Sequence, residues 1–116
     1  DVEDAIVNRG LVVDHNGKIG AMLERTAKDT GSAGSPYADA QYFVFCSASL
    51  SARMMAADPR NIGYCPYIVF VYELKSAPGT VQVGYRELKE TGSDASGAAI
   101  AAINKMLDEL VRGAVK

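Results

Sequence analysis

The sequence predicts an α+β fold, a mostly antiparallel sheet of four to five strands with helices on one face. Three observations carry this expectation. Apolar residues switch between helical and strand spacing, in the order helix–strand–helix–strand–helix–strand–strand–helix. The last two strand segments are joined through Pro78-Gly79, a turn tight enough to force a hairpin. The chain then closes on a long segment whose Ile100, Ile103, Leu107, Leu110 and Ala114 make one apolar stripe, which suits a helix laid on a sheet.

The first helix is expected over Asp1 to Arg9, with Val2, Ala5 and Ile6 at helical spacing, Asp1 as its cap and Gly10 as its stop. Leu11-Val12-Val13 reads as a short β-branched strand, and Asn16-Gly17 as the turn after it. Ile19, Met22, Leu23 and Thr26 predict a helix to about Asp29. Gly31-Ser32-Ala33-Gly34-Ser35-Pro36 suits no regular element and is expected to be the most mobile loop. Gln41 to Cys46 alternates as a strand, with Tyr42, Val44 and Cys46 on one face and Phe43 and Phe45 on the other. Ser47 is placed to cap a helix over Ala48 to Ala57, which Asp58-Pro59 ends, because a residue before proline is pushed out of the helical region. Tyr67 to Leu74 is apolar on both faces and so reads as a central strand. The hairpin partner is Thr80 to Leu88, and Ser93 and Ser96 are the cap candidates for the closing helix.

The 116 residues are expected to form one domain whose start is incomplete relative to its natural boundary, because helical spacing is already under way at Val2. With 12 basic against 14 acidic residues and no Lys/Arg cluster, a nucleic-acid partner is not expected. No apolar run approaches the ~20 residues a membrane-spanning helix needs. A start on Asp1 means either that a targeting segment was removed or that the start is missing, and two cysteines without a linker-like tail are compatible with export.

The only two cysteines, Cys46 and Cys65, lie at the end of one predicted strand and just before the next. An antiparallel return would bring them to the same end of the sheet, within the ~4.4–6.8 Å between Cα atoms that a disulfide requires. The residues leave three readings open: a structural disulfide, two inert buried thiols, or a functional thiol or metal site. The helix expected to start at Ser47 adds weight to the third, since a helix N-terminus favours thiolate. The candidate ligand or thiol site is therefore Cys46, Ser47, Tyr64, Cys65 and Tyr67, with the two tyrosines rimming a pocket. Met54, Met55 and Met22 would complete a soft-ligand set and His15, the only histidine, is the other metal candidate, but methionines also fill cores and His15 is expected on an exposed turn. No carboxylate pair is spaced for acid–base work, and no cofactor is named by any motif.

As an ordered set, several runs resemble a known family. They are Asn8-Arg9-Gly10-Leu11-Val12, Ile19-Gly20-Ala21-Met22-Leu23, Phe45-Cys46-Ser47-Ala48-Ser49-Leu50, Met54-Met55-Ala56-Ala57-Asp58-Pro59, Asn61-Ile62, Cys65-Pro66-Tyr67 and Val71-Tyr72-Glu73. Together they resemble the bacterial and archaeal domain-of-unknown-function family numbered 302. The resemblance implies a β-α-β4-α layout whose first strand this chain lacks. It also implies a small self-associating protein, exported to the periplasm in bacteria with sulfur or respiratory metabolism. It carries over no catalytic residue. The expectation is a non-enzymatic ligand- or partner-binding domain, homo-oligomeric or a subunit of a larger complex. The alternative is a thiol-based redox, sulfur-handling or soft-metal protein using Cys46 and Cys65. Self-association is expected through a second, uncovered sheet face carrying residues such as Phe43, Phe45 or Tyr85, and through the edge the absent strand leaves open.

Overall fold

A computed structural model describes residues 1–31 and 34–115. Four strands, β1 (Val13–Gly17), β2 (Tyr37–Phe45), β3 (Tyr67–Leu74) and β4 (Val81–Tyr85), form one antiparallel sheet in the order β1-β2-β3-β4. Four helices accompany it: α1 (Val2–Asn8), α2 (Ile19–Thr30), α3 (Ala48–Ala57) and α4 (Asp94–Ala114). A 3₁₀ helix over Pro59–Tyr64 follows α3. The fold is α+β as the sequence predicts, and β2 and β3 are its central strands.

The core lies between the sheet and α1, α3 and α4. Phe45, Tyr67 and Val69 from the strands meet Ile6, Met54, Ile100, Ile103 and Leu107 from the helices, all fully buried. The stripe of α4 is the one its sequence spells, and burial of such side chains contributes roughly 1.5–3 kcal/mol each. Capping also follows the sequence. Asp1 Oδ1 accepts the Asp4 N–H at 3.0 Å, Ser47 Oγ accepts the Leu50 N–H at 3.4 Å, and Ser93 Oγ accepts the Ser96 N–H at 3.2 Å.

Three expectations are corrected. The first strand is Val13–Gly17, not Leu11–Val13, and Asn16-Gly17 is its end instead of a turn. Pairing with β2 decides this. Asn16 and Gly17 stand opposite Phe43 and Tyr42, and Asn16 Nδ2 donates to the Tyr42 carbonyl at 3.2 Å. Gly17 is needed there for space, because a Cβ would overlap the Tyr42 ring. Second, Phe43, Phe45 and Tyr85 do not line an uncovered face; they stand on the helix-covered core side. Alternation puts Tyr42, Val44, Ile68, Phe70 and Tyr72 on the opposite face. Helix α2 partly covers that face by packing against β2, where Gly20 lies against the Ala40 backbone. Third, β2 begins at Tyr37, four residues before the apolar alternation does, carried by backbone pairing with β3 up to Leu74. Ser32 and Ala33, in the loop expected to be most mobile, lie outside the described residues.

Candidate functional site

The antiparallel return is present. Phe45 at the end of β2 pairs with Tyr67 at the start of β3. The residues just beyond them, Cys46 and Cys65, are joined by a disulfide with Cα atoms 6.2 Å apart, and no free cysteine remains. The Cys65–Pro66 peptide bond is cis. Both cysteines are half-buried.

Below the bond sits a small polar group enclosed by the core. Tyr67 is fully buried, and its hydroxyl shares a 2.6 Å hydrogen bond with Ser51 Oγ. Ser51 Oγ also lies 3.9 Å from the Cys65 sulfur. Burial pushes the Tyr67 phenol above its ordinary value, against the opposing pull of hydrogen bonds from Ser51 and the Ser47 backbone. Ser47, itself buried, caps α3 and contacts Ser49 Oγ at 3.3 Å. Cys46, Ser47, Cys65 and Tyr67 are therefore gathered as the sequence suggests, but Tyr67 lies inside the core and rims no pocket.

Tyr64 faces elsewhere. It lines a hollow of about 340 Å³ with Asp58, Arg60, Asn61, Thr91 and Gly92. The Arg60 side chain and then its backbone N–H hydrogen bond Asp58, holding that carboxyl below the usual range, and the same pairing raises Arg60. Asn61, buried beside this hollow, donates through Nδ2 to the Met54 carbonyl at 3.0 Å and to Ser96 Oγ at 2.8 Å. It ties α3 to the start of α4. Sequence reading missed Ser51 and Asn61, because a lone Ser or Asn in an apolar segment carries no spacing signal.

The metal candidates do not converge. His15 is exposed on β1, edge-on to Tyr42 with ring centroids 5.9 Å apart, not on a turn. Met54 is sealed in the core, Met55 half-buried on α3, and Met22 on α2. Among the described residues, no group of three or more His, Cys, Asp or Glu side chains is placed to hold a metal.

Two further hollows flank the sheet. One of about 260 Å³ lies under α2, walled by Ile19, Leu23, Tyr37, Tyr42, Phe70 and Tyr72. The Tyr37 and Tyr72 rings meet edge to face at 5.6 Å, and Phe70 stacks with Tyr72 at 6.2 Å. The other, of about 360 Å³, is lined by the start of α1 and the end of α4, with Phe43, Val71, Val83 and Lys18 among its walls. Lys18 Nζ donates to Asn16 Oδ1 at 2.7 Å and to Gln41 Oε1 at 2.9 Å. Among the described residues, no helix is long and apolar enough to cross a membrane.

Nothing among curated proteins matches the chain. The fold is similar to the crystal structure of an uncharacterized conserved protein DUF302 from Bacillus stearothermophilus, with a TM-score of 0.73 over 96% of this chain and 83% of that one. At 17% sequence identity the likeness speaks for the fold alone. The profile of the family described as domain of unknown function DUF302 matches residues 1–114. Sequence and architecture agree, and the chain belongs to the DUF302 family.

Proposed function

We propose that the chain is a non-enzymatic ligand- or partner-binding domain that works in the periplasm or another extracytoplasmic space. The observation that carries this is the Cys46–Cys65 bond. Disulfides persist in oxidising compartments and are rare in the reducing cytoplasm. This one ties two strands that are already paired, above a Ser51–Tyr67 contact whose polar atoms satisfy each other. That arrangement suits a staple. A binding role is supported by the aromatic hollow under α2, since binding pockets are concave and mostly apolar with a few polar groups. Native mass spectrometry of the protein taken from its own cells tests the reading. A retained small molecule or subunit, on a chain inert to added thiols, is expected. An empty chain that exchanges disulfides catalytically contradicts it.

A second reading, a thiol-based redox or sulfur-handling protein, is favoured by one observation. Cys46 directly precedes the N-cap of α3, where the helix end would stabilise a thiolate. In that reading a dithiol reductant gives two electrons and two protons to the bond, becoming a disulfide itself and leaving Cys46 and Cys65 as thiols. Fast reduction at near-neutral pH, with one cysteine reacting ahead of the other, is its signature.

A further inference from the structure

One row of the sheet crosses all its strands as Gly17–Tyr42–Phe70–Gly84, each residue standing opposite the next. Glycine weakens a strand and often marks a place where another group must come close. Here it occupies both edge strands, and in each case the group that comes close is a ring. A Cβ at Gly17 would overlap the Tyr42 ring, and one at Gly84 would lie 2.6 Å from the end of the Phe70 ring. Tyr42 and Phe70 are direct neighbours in the middle of the row, yet each ring reaches away from the other, over the glycine on its own side. Tyr42 also meets the His15 ring of β1, with centroids 5.9 Å apart.

The hollow of about 260 Å³ under α2 is lined by both of these rings and by neither glycine, so it lies over the middle of the row. The splay of the two rings leaves room there. So does Ala40, a small buried residue that stands opposite Tyr72 two positions along the same face. The space sets the size of an occupant. A cavity of about 150 Å³ holds one benzene ring, and sites for drug-sized ligands start near 300 Å³. A partner's helix, about 10 Å across with its side chains, does not fit. The walls set its charge. Among the described residues, no Asp, Glu, Lys, Arg or His lines the hollow. An ion of either sign would lose its water and gain no partner of opposite charge.

We propose that this hollow binds an uncharged, planar aromatic molecule of one or two fused rings, in the space that Tyr42 and Phe70 vacate by lying over Gly17 and Gly84. Flat rings meet others edge to face or offset, and Tyr37, Tyr42, Phe70 and Tyr72 supply both faces and edges. Ile19 and Leu23 bring α2 to the same space as apolar walls. The tyrosine hydroxyls are the polar groups that would orient a ligand bearing one hydroxyl or carbonyl. The inference names the ligand class of the hollow cited above for a binding role and rests on that reading.

Titration with 2-naphthol, followed by NMR shifts of backbone amides, tests it. Saturable one-to-one binding is expected, with the largest shifts at Ala40, Gln41, Val71 and Tyr72. Naphthalene-2-sulfonate, the same rings carrying a charge, and tetramethylammonium are expected not to bind. Gly84→Ala displaces the end of the Phe70 ring from its place over the glycine and is expected to weaken naphthol binding roughly tenfold with unchanged circular dichroism. Leu23→Trp, which fills the hollow from α2, is expected to abolish binding and decides the matter where Gly84→Ala does not fold. Shifts centred elsewhere, charged compounds that bind as well as naphthol, or binding indifferent to the variants overturn the proposal. A chain that retains a molecule or subunit from its own cells but ignores 2-naphthol overturns this proposal and leaves the binding reading standing. A chain that comes from its cells empty and exchanges disulfides catalytically overturns that reading, and this proposal with it.

Discussion

The hydroxyls of Ser51 and Tyr67 meet at 2.6 Å inside the core, and Ser51 Oγ stands 3.9 Å from the Cys65 sulfur. One helix residue thus links a fully buried strand tyrosine to the covalent tie between β2 and β3. Removing Ser51's oxygen leaves the Tyr67 phenol short of a partner, and a buried polar group that loses its partner costs roughly 1–3 kcal/mol. Ser51→Ala is expected to lower stability by about that amount in urea unfolding. Tyr67→Phe made on top of it is expected to add less than it does alone, because the pair is coupled.

The same phenol sets an alkaline limit. Burial raises its pKa, so the neutral form is the one the fold favours. A group whose folded pKa is raised contributes stability that is complete below its unfolded value, about 10 for tyrosine, and lost as pH rises through the folded value. Unfolding midpoints are expected to fall above about pH 10, and to fall less steeply in Tyr67→Phe.

Glu24 acts at the other end of the scale. The Lys75 side chain and then the Ser35 N–H hold its carboxyl below the ordinary range, joining α2 to the chain just before β2 and just after β3. The sign is opposite to that of Tyr67. A depressed carboxyl contributes above its unfolded value, about 4.3, and the contribution is lost as pH falls through the folded value. Glu24→Gln is expected to flatten the acid limb of a stability–pH curve while leaving the alkaline limb unchanged. An acid limb identical to wild type counts against the contact.

Asn104 holds the segment after β4. Its Oδ1 accepts the Leu88 N–H at 2.9 Å and its Nδ2 donates to the Leu88 carbonyl at 2.7 Å, seating Leu88 in the core. Asn104→Ala strands both backbone groups and is expected to cost roughly 2–3 kcal/mol. Amide exchange at Leu88 is expected to quicken well before that of β3.

The legible parts of this fold were those with strong periodicity. β3, α3 and the stripe of α4 follow from spacing alone, because each buries one face or two against a continuous core. Ser47 and Ser93 were legible as caps because a helix N-terminus leaves N–H groups that a nearby hydroxyl satisfies. β1 was misplaced because Leu11-Val12-Val13 has strand-like composition, whereas pairing with β2 begins only at Val13 and runs on through His15, Asn16 and Gly17, where Asn16-Gly17 reads as a turn. That Cys46 and Cys65 meet at one end of the sheet followed from an antiparallel return; the bond between them was one of three readings the residues left open. The partners beneath it did not follow, since Ser51 and Asn61 acquire their roles only when α3 is laid over β3 and against α4. The split between Tyr64 and Tyr67 was hidden for the same reason: three residues of separation say nothing about which ring the core swallows.

The disulfide also makes a thermodynamic prediction. The cysteines are 19 residues apart, and closing a loop of that size stabilises by about 3 kcal/mol in the chain-entropy model. Reduction is expected to lower the free energy of unfolding by about that amount. The sheet is expected to survive, because Phe45 and Tyr67 remain paired without it.

The most direct test of the account is a thiol count on the chain as its own cells make it. The protein is trapped with an alkylating reagent at the moment of lysis, before any reductant, and weighed by mass spectrometry. The account predicts no alkylated cysteine before reduction and two after, Cys46 and Cys65, with the unreduced protein folded. Two alkylated thiols in the untreated protein would contradict it, removing both the staple and the argument for an oxidising compartment.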